Sequence, residues 1–453
     1  MTKTAQLLKV SVAKLLLIVP VKRRKIHADD GSELLTKMDR PKLKICMLLP
    51  DFYGPSMPTS PKIREIYGNR LPHWGHEVTW IVADDRNTEE IKKETFKNVR
   101  IFAVHYHISS FLPKQFLAAL LFVWKRKRLV GKIVKKAEKG GIIQVYASTF
   151  ESILEGMLAI YLKRKSKIPF VFYYSFPIAE ASLWKHRSGS SKIYYLIGKL
   201  EQLLLNFIMR RADLILPTSN RMMENLADAG LPKTKMIPLP SGVNAKLFSP
   251  SFDVEKIRTK YSLGDSKVII YLGTMDKLRQ VDILVHSLAQ LKPARQNVKL
   301  LMVGNGNDRN RLERLVYNLG LQDEVIFTGQ VPYFEVPEFI AAANVAVSPV
   351  PPLDIYLVGS PCKLFEYMGM AKPVIANEEI PEHNEVLKES GGGILVPYTP
   401  EAFARAIIEL LDNPEKTTNM GLKGRDWVVK NRTYEILARK VEQRYFELLE
   451  SYG

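Results

Sequence analysis

Short apolar runs alternate with amphipathic segments along the first half of the chain. Lys44–Pro50 and Glu77–Ala83 are continuous apolar runs of the length and composition of buried strands. Between them, Ser60-Pro61 is typical of a helix start, and Gly75-His76 ends the helical pattern. Strands that are apolar on both faces belong to parallel sheets covered by helices. The pattern therefore predicts strand–helix–strand units.

The same alternation begins again near residue 267. Its predicted strands and helices, in chain order, are Lys267–Leu272, Val281–Leu291, Lys299–Gly304, Asp308–Leu319, Val325–Thr328, Pro337–Ala343, Val345–Pro349, Pro361–Met370 and Pro373–Ala376. Two such units predict an α/β protein with two facing Rossmann-like domains. Because open parallel sheets bind ligands at the carboxyl ends of their strands, the site is expected in the cleft between the domains.

A segment rich in Pro, Ser and Gly, Leu239–Phe252, separates the two alternating regions and is predicted to be the linker. The chain then divides into an N-terminal extension at 1–42, a first domain at 43–240 and a second domain at 241–431. The final segment, 432–453, is predicted to be a helix that packs back across the linker onto the first domain.

Composition agrees with this size and class. The chain has 453 residues, enough for two hydrophobic cores, and 46% of them are hydrophobic. Its two cysteines, Cys46 and Cys362, are far apart in sequence, which argues against a disulfide scaffold and fits a reducing compartment.

The charge is strongly asymmetric. The formal net charge is +19, but residues 1–240 carry +21 and residues 241–453 carry −2. A nucleic-acid groove running across the molecule is expected to recruit both halves, whereas a flat anionic surface need contact only one. The asymmetry therefore favours an anionic membrane surface as a partner of the first half.

Two segments combine apolar residues with a basic cluster. Leu7–Lys25 and Phe111–Lys136 are each too short in their apolar part to span a bilayer, and in both the basic cluster follows the apolar run, unlike a signal peptide. Such segments suit a helix lying in an anionic lipid interface, although a core helix with a solvated basic end is the alternative. The residues predicted to face the membrane are Trp124, Lys125, Arg126, Lys127 and Arg128.

The segment from Ser360 to Ala376 has the pattern of a phosphate-binding helix start. Ser360 is the predicted N-cap and Pro361 the first helical residue, which leaves the N–H groups of Cys362, Lys363 and Leu364 free to face the cleft. A helix N-terminus with unpaired N–H groups binds phosphate well.

Two charged side chains extend this hypothesis. Lys363 adds positive charge beside the phosphate, and Glu366 is a candidate to accept hydrogen bonds from both ribose hydroxyls of a nucleotide. The alternative is that Lys363 and Glu366 form an i,i+3 surface pair.

The loop after the first strand of the second domain, Gly273–Gln280, contributes further candidates. Gly273 allows the backbone to approach a ligand, and Arg279 and Lys277 are predicted to stabilise a departing diphosphate. The remaining candidates for contact with the nucleotide-sugar rest on weaker signals and are Gly54, Thr274, Gly304, Asn305 and Val331.

Together these stretches resemble retaining glycosyltransferases of the GT-B fold, family 4. The matching segments are Gly75–Val78, Ala212–Ser219, Ile237–Asn244, Tyr271–Thr274, Leu301–Gly306, Phe327–Gly329 and Lys363–Ala376. The resemblance implies that a sugar passes from a nucleotide-sugar to an acceptor with retained anomeric configuration and without a metal or cofactor. It also implies that the nucleotide binds to the C-terminal domain and the acceptor mainly to the N-terminal one.

The chain departs from the family pattern at four places, one of which, Arg279 in place of the usual Lys, retains the positive charge. The Glu that is common eight residues before the position of Glu366 is Val358, and the Arg that usually follows the first Gly of the basic loop is Thr274. A histidine often lies near the donor sugar on the acceptor side, and the matching position here is Ser175. In these departures the chain resembles a subgroup with Ser-Pro-x-Lys-Leu-x-Glu-Tyr-Met, many members of which build surface polysaccharides or lipid-linked glycans.

The resemblance implies glycosyl transfer to a lipid-linked or membrane-proximal glycan, by an enzyme in the cytoplasm bound peripherally to the inner face of the membrane. Retaining transfer needs little acid–base machinery from the protein, because the leaving β-phosphate can act as the base. One alternative is a nucleotide-sugar epimerase of related fold, which needs more acids and histidines in the cleft. Another is a nucleic-acid-binding protein, which charge alone supports; the favoured hypothesis includes no nucleic-acid partner.

Overall fold

The computed structural model describes residues 41–52, 60–84, 92–96, 98–106, 112–137, 140–189, 191–293 and 297–452. Two of the predictions fall elsewhere: the N-terminal extension with its basic segment Leu7–Lys25, and Gly54, lie outside the described residues.

A seven-stranded sheet with the order β3-β4-β2-β1-β5-β6-β7 organises the first domain. Its strands are β1 (Lys44–Phe52), β2 (Glu77–Asp84), β3 (Lys92–Phe96), β4 (Val99–His105), β5 (Gly141–Ala147), β6 (Phe170–Tyr174) and β7 (Leu214–Pro217). All pairings are parallel except that of β3 with β4. The strand order reverses beside β1, as expected for a doubly wound sheet.

Helices cover both faces of this sheet. They are α1 (Ile63–Arg70), α2 (Leu71–His73), α3 (Leu112–Ala137), α4 (Glu151–Ser166), α5 (Ile178–Arg187), α6 (Ile193–Arg211) and α7 (Asn220–Asp228). One core cluster lies between the sheet and α3, α4, α6 and α7, and a second lies between the sheet and α1.

A six-stranded parallel sheet with the order β10-β9-β8-β11-β12-β13 organises the second domain. Its strands are β8 (Lys267–Leu272), β9 (Val298–Val303), β10 (Val325–Gly329), β11 (Val345–Ser348), β12 (Val374–Asn377) and β13 (Gly393–Val396). Its helices are α8 (Glu255–Lys260), α9 (Asp282–Leu291), α10 (Arg309–Asn318), α11 (Val336–Ala341), α12 (Asp354–Leu357), α13 (Cys362–Gly369), α14 (Pro381–Ser390), α15 (Pro400–Asp412) and α16 (Pro414–Asn431). The predicted α/β fold with two Rossmann-like sheets is confirmed.

The last helix, α17 (Tyr434–Glu450), packs against α1 and belongs to the core of the first domain, not the second. His76 Nδ1 accepts a hydrogen bond from Leu43 N, so the ring carries its proton on Nε2, which lies 2.7 Å from Glu442 Oε1. Like Glu442, Tyr445 belongs to α17, and its hydroxyl donates to Gln144 Oε1 of β5 over 2.6 Å. Buried polar contacts therefore tie the end of the chain to the first sheet.

Two local details differ from the sequence pattern. The helix that starts at Ser60-Pro61 is wound as a π-helix over Ile63–Arg70, which the apolar spacing does not distinguish from an α-helix. The predicted N-cap of α13 is also wrong: Pro361 caps the helix with extended backbone, and the first helical residue is Cys362.

Candidate active site

A cavity of about 470 Å³ opens between the two sheets, at the carboxyl ends of their strands. The second domain lines most of it through the ends of β8 and β9, α12 and the start of α13, and the first domain contributes residues that follow β6 and β7. This is the position at which doubly wound sheets bind ligands, because the loops diverge there.

Two glycines allow the strand ends to lie close together and open the cavity. Gly273 (φ +143°) and Gly304 (φ +138°) both have backbone conformations that side chains disfavour. A Cβ at Gly304 would collide with the carbonyl oxygen of Gly273. Both glycines line the cavity, and so do the predicted residues Thr274 and Val331.

The segment before α13 is held by hydrogen bonds with two other segments of the chain. Ser360 Oγ accepts from Ser241 N over 2.8 Å and donates to Glu382 Oε1 over 3.1 Å, and Glu382 is paired with Arg432 at 3.2 Å. These partners occupy the Ser360 hydroxyl, which explains why it does not cap the helix. Ser360, Pro361 and Cys362 nevertheless line the cavity as predicted.

Leu364 does not have the predicted role. Its N–H donates to the Pro361 carbonyl over 3.3 Å, and its side chain is fully buried in the core of the second domain. The anion-binding character of this helix start therefore rests on the first two residues of α13, Cys362 and Lys363.

Lys363 reaches into the cavity and is the central cation of the site. Its Nζ lies 4.2 Å from the centroid of the Tyr271 ring. Burial, assisted by the charge of Arg279, lowers the pKa of Lys363 to about 7, against the opposing effect of Glu366. A buried ammonium without an anion is costly, so a diphosphate bound here would strengthen its charged form.

Glu366 lies one turn further along α13 and is 7% exposed. Burial raises the pKa of Glu366 to about 7, while Tyr333, Arg64 and Lys363 lower it. The alternative of a surface pair is wrong, because Glu366 is buried and Lys363 is half-buried at the wall of the cavity. Arg64 and Tyr333 are neighbours that sequence reasoning missed; Arg64 comes from α1 of the first domain and lies 4.1 Å from the Tyr333 ring centroid.

Arg279 also lines the cavity, from a short 3₁₀ turn after β8, and lies close enough to Lys363 to lower the pKa of that lysine. Its guanidinium lies 4.7 Å from the Tyr356 ring centroid, and Asp276 Oδ1 accepts from its backbone N–H over 3.0 Å. Lys277 is exposed and is not among the described residues that line the cavity. Of the two basic residues predicted in this loop, the structure brings only Arg279 to the cleft.

The first domain supplies the other wall through Ser175, Phe176, Pro177 and Thr218. Ser175 Oγ donates to the Ala147 carbonyl over 2.9 Å. The predicted acceptor-side residue therefore lies in the cleft, across from the charged groups of the second domain.

Two other positions of interest lie away from the cavity. Asn305 is exposed, and its carbonyl accepts from Met275 N over 3.0 Å. Val358, where the family commonly has Glu, is buried in the core cluster of the first domain, and its carbonyl accepts from Ser219 Oγ over 2.7 Å. Its side chain therefore supplies no counterpart to that carboxylate in the cleft.

The predicted membrane-facing segment is exposed at four of its five positions. Trp124 is 58% exposed, and Lys125, Lys127 and Arg128 are also exposed. Arg126 is fully buried, forms an ion pair with Glu155 and lies 3.8 Å from the Phe122 ring centroid. The prediction for Arg126 is wrong because the helical period turns this one position into the core.

Trp124 belongs to a shallow apolar groove between α3 and α4. The groove has a volume of about 530 Å³ and is lined by Leu120, Leu121, Val123, Trp124, Lys127, Leu154, Met157, Leu158 and Tyr161. In the part of the chain that the structure describes, no helix combines the length and apolar character needed to cross a bilayer.

Comparison with known proteins assigns each domain to a family model. Residues 67–247 match the model "Glycosyltransferase Family 4", and residues 253–427 match "Glycosyl transferases group 1". The cleft lies between residues of the two matched regions.

Curated relatives match between about a third and a half of the chain. A GDP-mannose-dependent alpha-(1-6)-phosphatidylinositol monomannoside mannosyltransferase of Mycolicibacterium smegmatis is 28% identical over 246 residues, which are 51% of this chain and 64% of the relative. An alpha-D-kanosaminyltransferase of Streptomyces kanamyceticus is 28% identical over 167 residues, 36% of this chain and 42% of the relative. The chain thus spans less than two thirds of the length of these relatives.

Solved structures match nearly the whole chain in fold. Sucrose-phosphate synthase from Thermosynechococcus elongatus has a TM-score of 0.70 at 22% identity and covers 90% of this chain and 100% of its own. Anabaena Alr3699/HepE in complex with UDP-glucose has a TM-score of 0.64 at 17% identity, with the same coverage. From the two consecutive family models and this shared two-sheet fold, we conclude that the chain belongs to the family 4 glycosyltransferases of the GT-B fold.

Proposed function

We propose that the protein is a retaining glycosyltransferase that moves a sugar from a nucleotide-sugar to a lipid-linked or membrane-proximal glycan, in polysaccharide or glycoconjugate biosynthesis. The observation that carries the proposal is the convergence of Arg279, Lys363 and Glu366 on one interdomain cavity with glycine-lined strand ends. Family membership and the names of the mannosyltransferase relatives support it.

In this proposal the second domain binds the nucleotide diphosphate. Lys363, the first N–H groups of α13 and Arg279 all contact the diphosphate in this cavity. In its ionised form, the Glu366 carboxylate accepts hydrogen bonds from the ribose hydroxyls. The two cations stabilise the charge that grows on the diphosphate as the sugar departs, and we propose that they make a metal ion unnecessary.

Retention follows from the choice of base. Among the described residues that line the cavity, Glu366 is the only carboxylate, and the ribose occupies it in this proposal. We therefore propose that an oxygen of the leaving β-phosphate takes the proton of the acceptor hydroxyl. This oxygen lies on the face of the sugar from which the phosphate departs. The bond from sugar to phosphate breaks and the bond from sugar to acceptor oxygen forms on the same face, so the anomeric configuration is kept.

The acceptor approaches from the first domain, past Ser175 and Pro177. The exposed Trp124, Lys125, Lys127 and Arg128 beside the α3–α4 groove support peripheral binding to an anionic membrane. Because nucleotide-sugars are made in the cytoplasm, we place the enzyme on the inner face of that membrane.

The test is transfer of radiolabelled sugar from GDP-mannose, UDP-glucose, UDP-N-acetylglucosamine and ADP-glucose into the lipid phase of a bacterial lipid extract. One donor is expected to label the lipid phase, with unchanged yield in EDTA. Replacing Arg279 by Ala is expected to lower kcat by roughly 10²-fold, in the range found when one transition-state donor is removed.

Lys277→Ala is the matched control, because Lys277 lies in the same loop but is exposed and outside the cavity. It is expected to change turnover less than about twofold. Loss of transfer in EDTA would overturn the metal-free proposal, and equal effects of the two substitutions would overturn the assignment of Arg279.

A further inference from the structure

Helix α6 carries a continuous exposed apolar stripe that the membrane prediction did not include. Ile193, Leu196, Leu200, Leu203 and Phe207 are 47%, 67%, 55%, 68% and 38% exposed. Their spacing of three and four residues places them on one side of the helix. A row of this length is far from the isolated exposed apolar residues that are normal on a protein surface.

Other faces of α6 account for its attachment to the fold. Gly198, Leu205, Ile208 and Met209 are buried, and α6 packs against α4 and α5. At Gly198, a Cβ would lie 2.7 Å from Leu183 Cγ of α5, so the two helices approach closely there. In the described part of the chain, the packing of α6 against its neighbours thus leaves the stripe exposed.

The charge around the stripe selects its partner. The exposed basic residues Lys192, Lys199 and Arg210 lie along α6, and the Arg211 guanidinium lies 3.5 Å from the Phe207 ring centroid. The one acidic residue of α6, Glu201, is buried. Pairing with the same helix of a second copy would bring like charges together, whereas an anionic lipid surface complements them.

The opposite side of α6 lines a second cavity, which shares a wall residue with the cleft. Gln202, Leu205, Asn206 and Met209 line a cavity of about 430 Å³, and Pro177 lines both this cavity and the cleft. A surface bound to the stripe is therefore one helix away from the wall on which the acceptor is proposed to enter.

We propose that the apolar stripe of α6 inserts into an anionic lipid surface and is the main membrane contact of the enzyme, with the α3–α4 groove as a weaker second contact. The five apolar side chains enter the acyl boundary, and the flanking lysines and arginines lie at the headgroups. The role of this membrane contact in catalysis rests on the proposed transfer to a lipid-linked acceptor. Lipid binding by the stripe does not depend on that proposed function.

The test is flotation of the full chain with vesicles of phosphatidylcholine containing 30% phosphatidylglycerol. Leu196→Gln/Leu200→Gln/Leu203→Gln is expected to lower the bound-to-free ratio at least tenfold. The matched control is Tyr317→Gln/Leu319→Gln/Leu422→Gln, which removes three exposed apolar side chains from the second domain and is expected to float like the unmodified protein. Nucleotide affinity, measured by calorimetry, is expected to be equal in all three proteins and reports on folding.

Unchanged flotation of the α6 variant would overturn the proposal. A dimer in the unmodified protein that becomes a monomer in the variant, with flotation unchanged, would instead make the stripe a seam between copies and also overturn it. If the protein floats through α6 but transfers no sugar from any donor, the lipid contact stands and the proposed function fails.

Discussion

The two domains share a fold but place charge and apolar surface differently. Of the seventeen large apolar side chains that are exposed in the described residues, eleven lie on α3, α4 and α6 of the first domain. Five lie in α10, α16 and the loops of the second domain, and Tyr452 follows α17. The chain through residue 240 carries a net charge of +21, and the remainder carries −2. The second domain instead places two charged groups in the cleft, the half-buried Lys363 and the buried Glu366. One fold thus supports two ways of meeting an anion: a broad surface that lies against it and a pocket that encloses it.

The largest expected effect concerns Arg126, a charged residue of the first domain that lies neither on the exposed surface nor in the nucleotide pocket. Arg126 is buried against Glu155, so Glu155→Leu leaves a guanidinium in the core without its partner. Such a change costs roughly 3–5 kcal/mol of unfolding free energy, measured by urea denaturation. Lys127→Ala, one residue along the same helix but exposed, is expected to cost less than about 0.5 kcal/mol. Equal losses in the two variants would mean that Arg126 is not a core residue.

The next effect is a pH dependence that the cleft should show and the surface should not. The pKa of Lys363 is lowered to about 7 by burial, and a bound diphosphate raises it again, so binding takes up a proton. Nucleotide affinity is therefore expected to fall above pH 7, by up to about tenfold per pH unit while the free lysine loses its proton. The pKa of Glu366 is raised to about 7 by burial, so its ribose contact is expected to weaken below pH 7.

Calorimetry of nucleoside diphosphate binding from pH 5.5 to 9, in buffers of different ionisation enthalpy, measures the loss of affinity on both the alkaline and the acid side. Lys363→Met is expected to remove the alkaline fall and to keep the acid one. A flat profile in the unmodified protein would contradict the assignment of either group to the nucleotide site.

The smallest expected effect separates the two surfaces of the first domain. Trp124→Ser removes one aromatic side chain from the α3–α4 groove and leaves the α6 stripe intact. Vesicle flotation is expected to fall by roughly two- to fivefold, in line with loss of one partly exposed apolar group. A loss larger than that of the α6 triple variant would reverse the order of the two contacts.

Much of the fold could be predicted because burial on both faces leaves a strong mark on a strand. Lys267–Leu272 is predicted with its observed bounds, and the other six predicted strands differ by one or two residues at an end; β3 to β7 and β13 were not predicted. The start of α13 could not be placed from local preference alone. Ser360 has the chemistry of an N-cap, but its hydroxyl is bound by Ser241 N and Glu382, which are distant in sequence.

The candidate site was predictable where motif and backbone coincide, as at Gly273, Gly304 and Lys363. It was not predictable where only tertiary packing decides. Arg126 and Lys127 look alike in a basic run, but one pairs with Glu155 in the core and the other is exposed. Likewise Arg64 approaches Glu366 from the other domain, and no local pattern links them.

The α6 stripe was overlooked for a related reason. Its apolar residues have the period of a core-facing helix, and a sequence does not state which side of a helix its neighbours cover. The four basic residues after Trp124 are consecutive and therefore indicate a membrane contact in the sequence. The basic residues along α6 are spread over several turns and give no such local signal.

The central claim is that charged groups of the second domain recognise the nucleotide while the first domain provides the membrane surface. Calorimetric titration of UDP, GDP and ADP into the unmodified protein, Lys363→Met and the α6 triple variant tests it most directly. We predict that one nucleotide binds, that Lys363→Met weakens it by roughly tenfold or more, as expected for loss of a charged hydrogen bond, and that the α6 variant binds normally. Full affinity in Lys363→Met, or equal weakening in both variants, would contradict this division of roles.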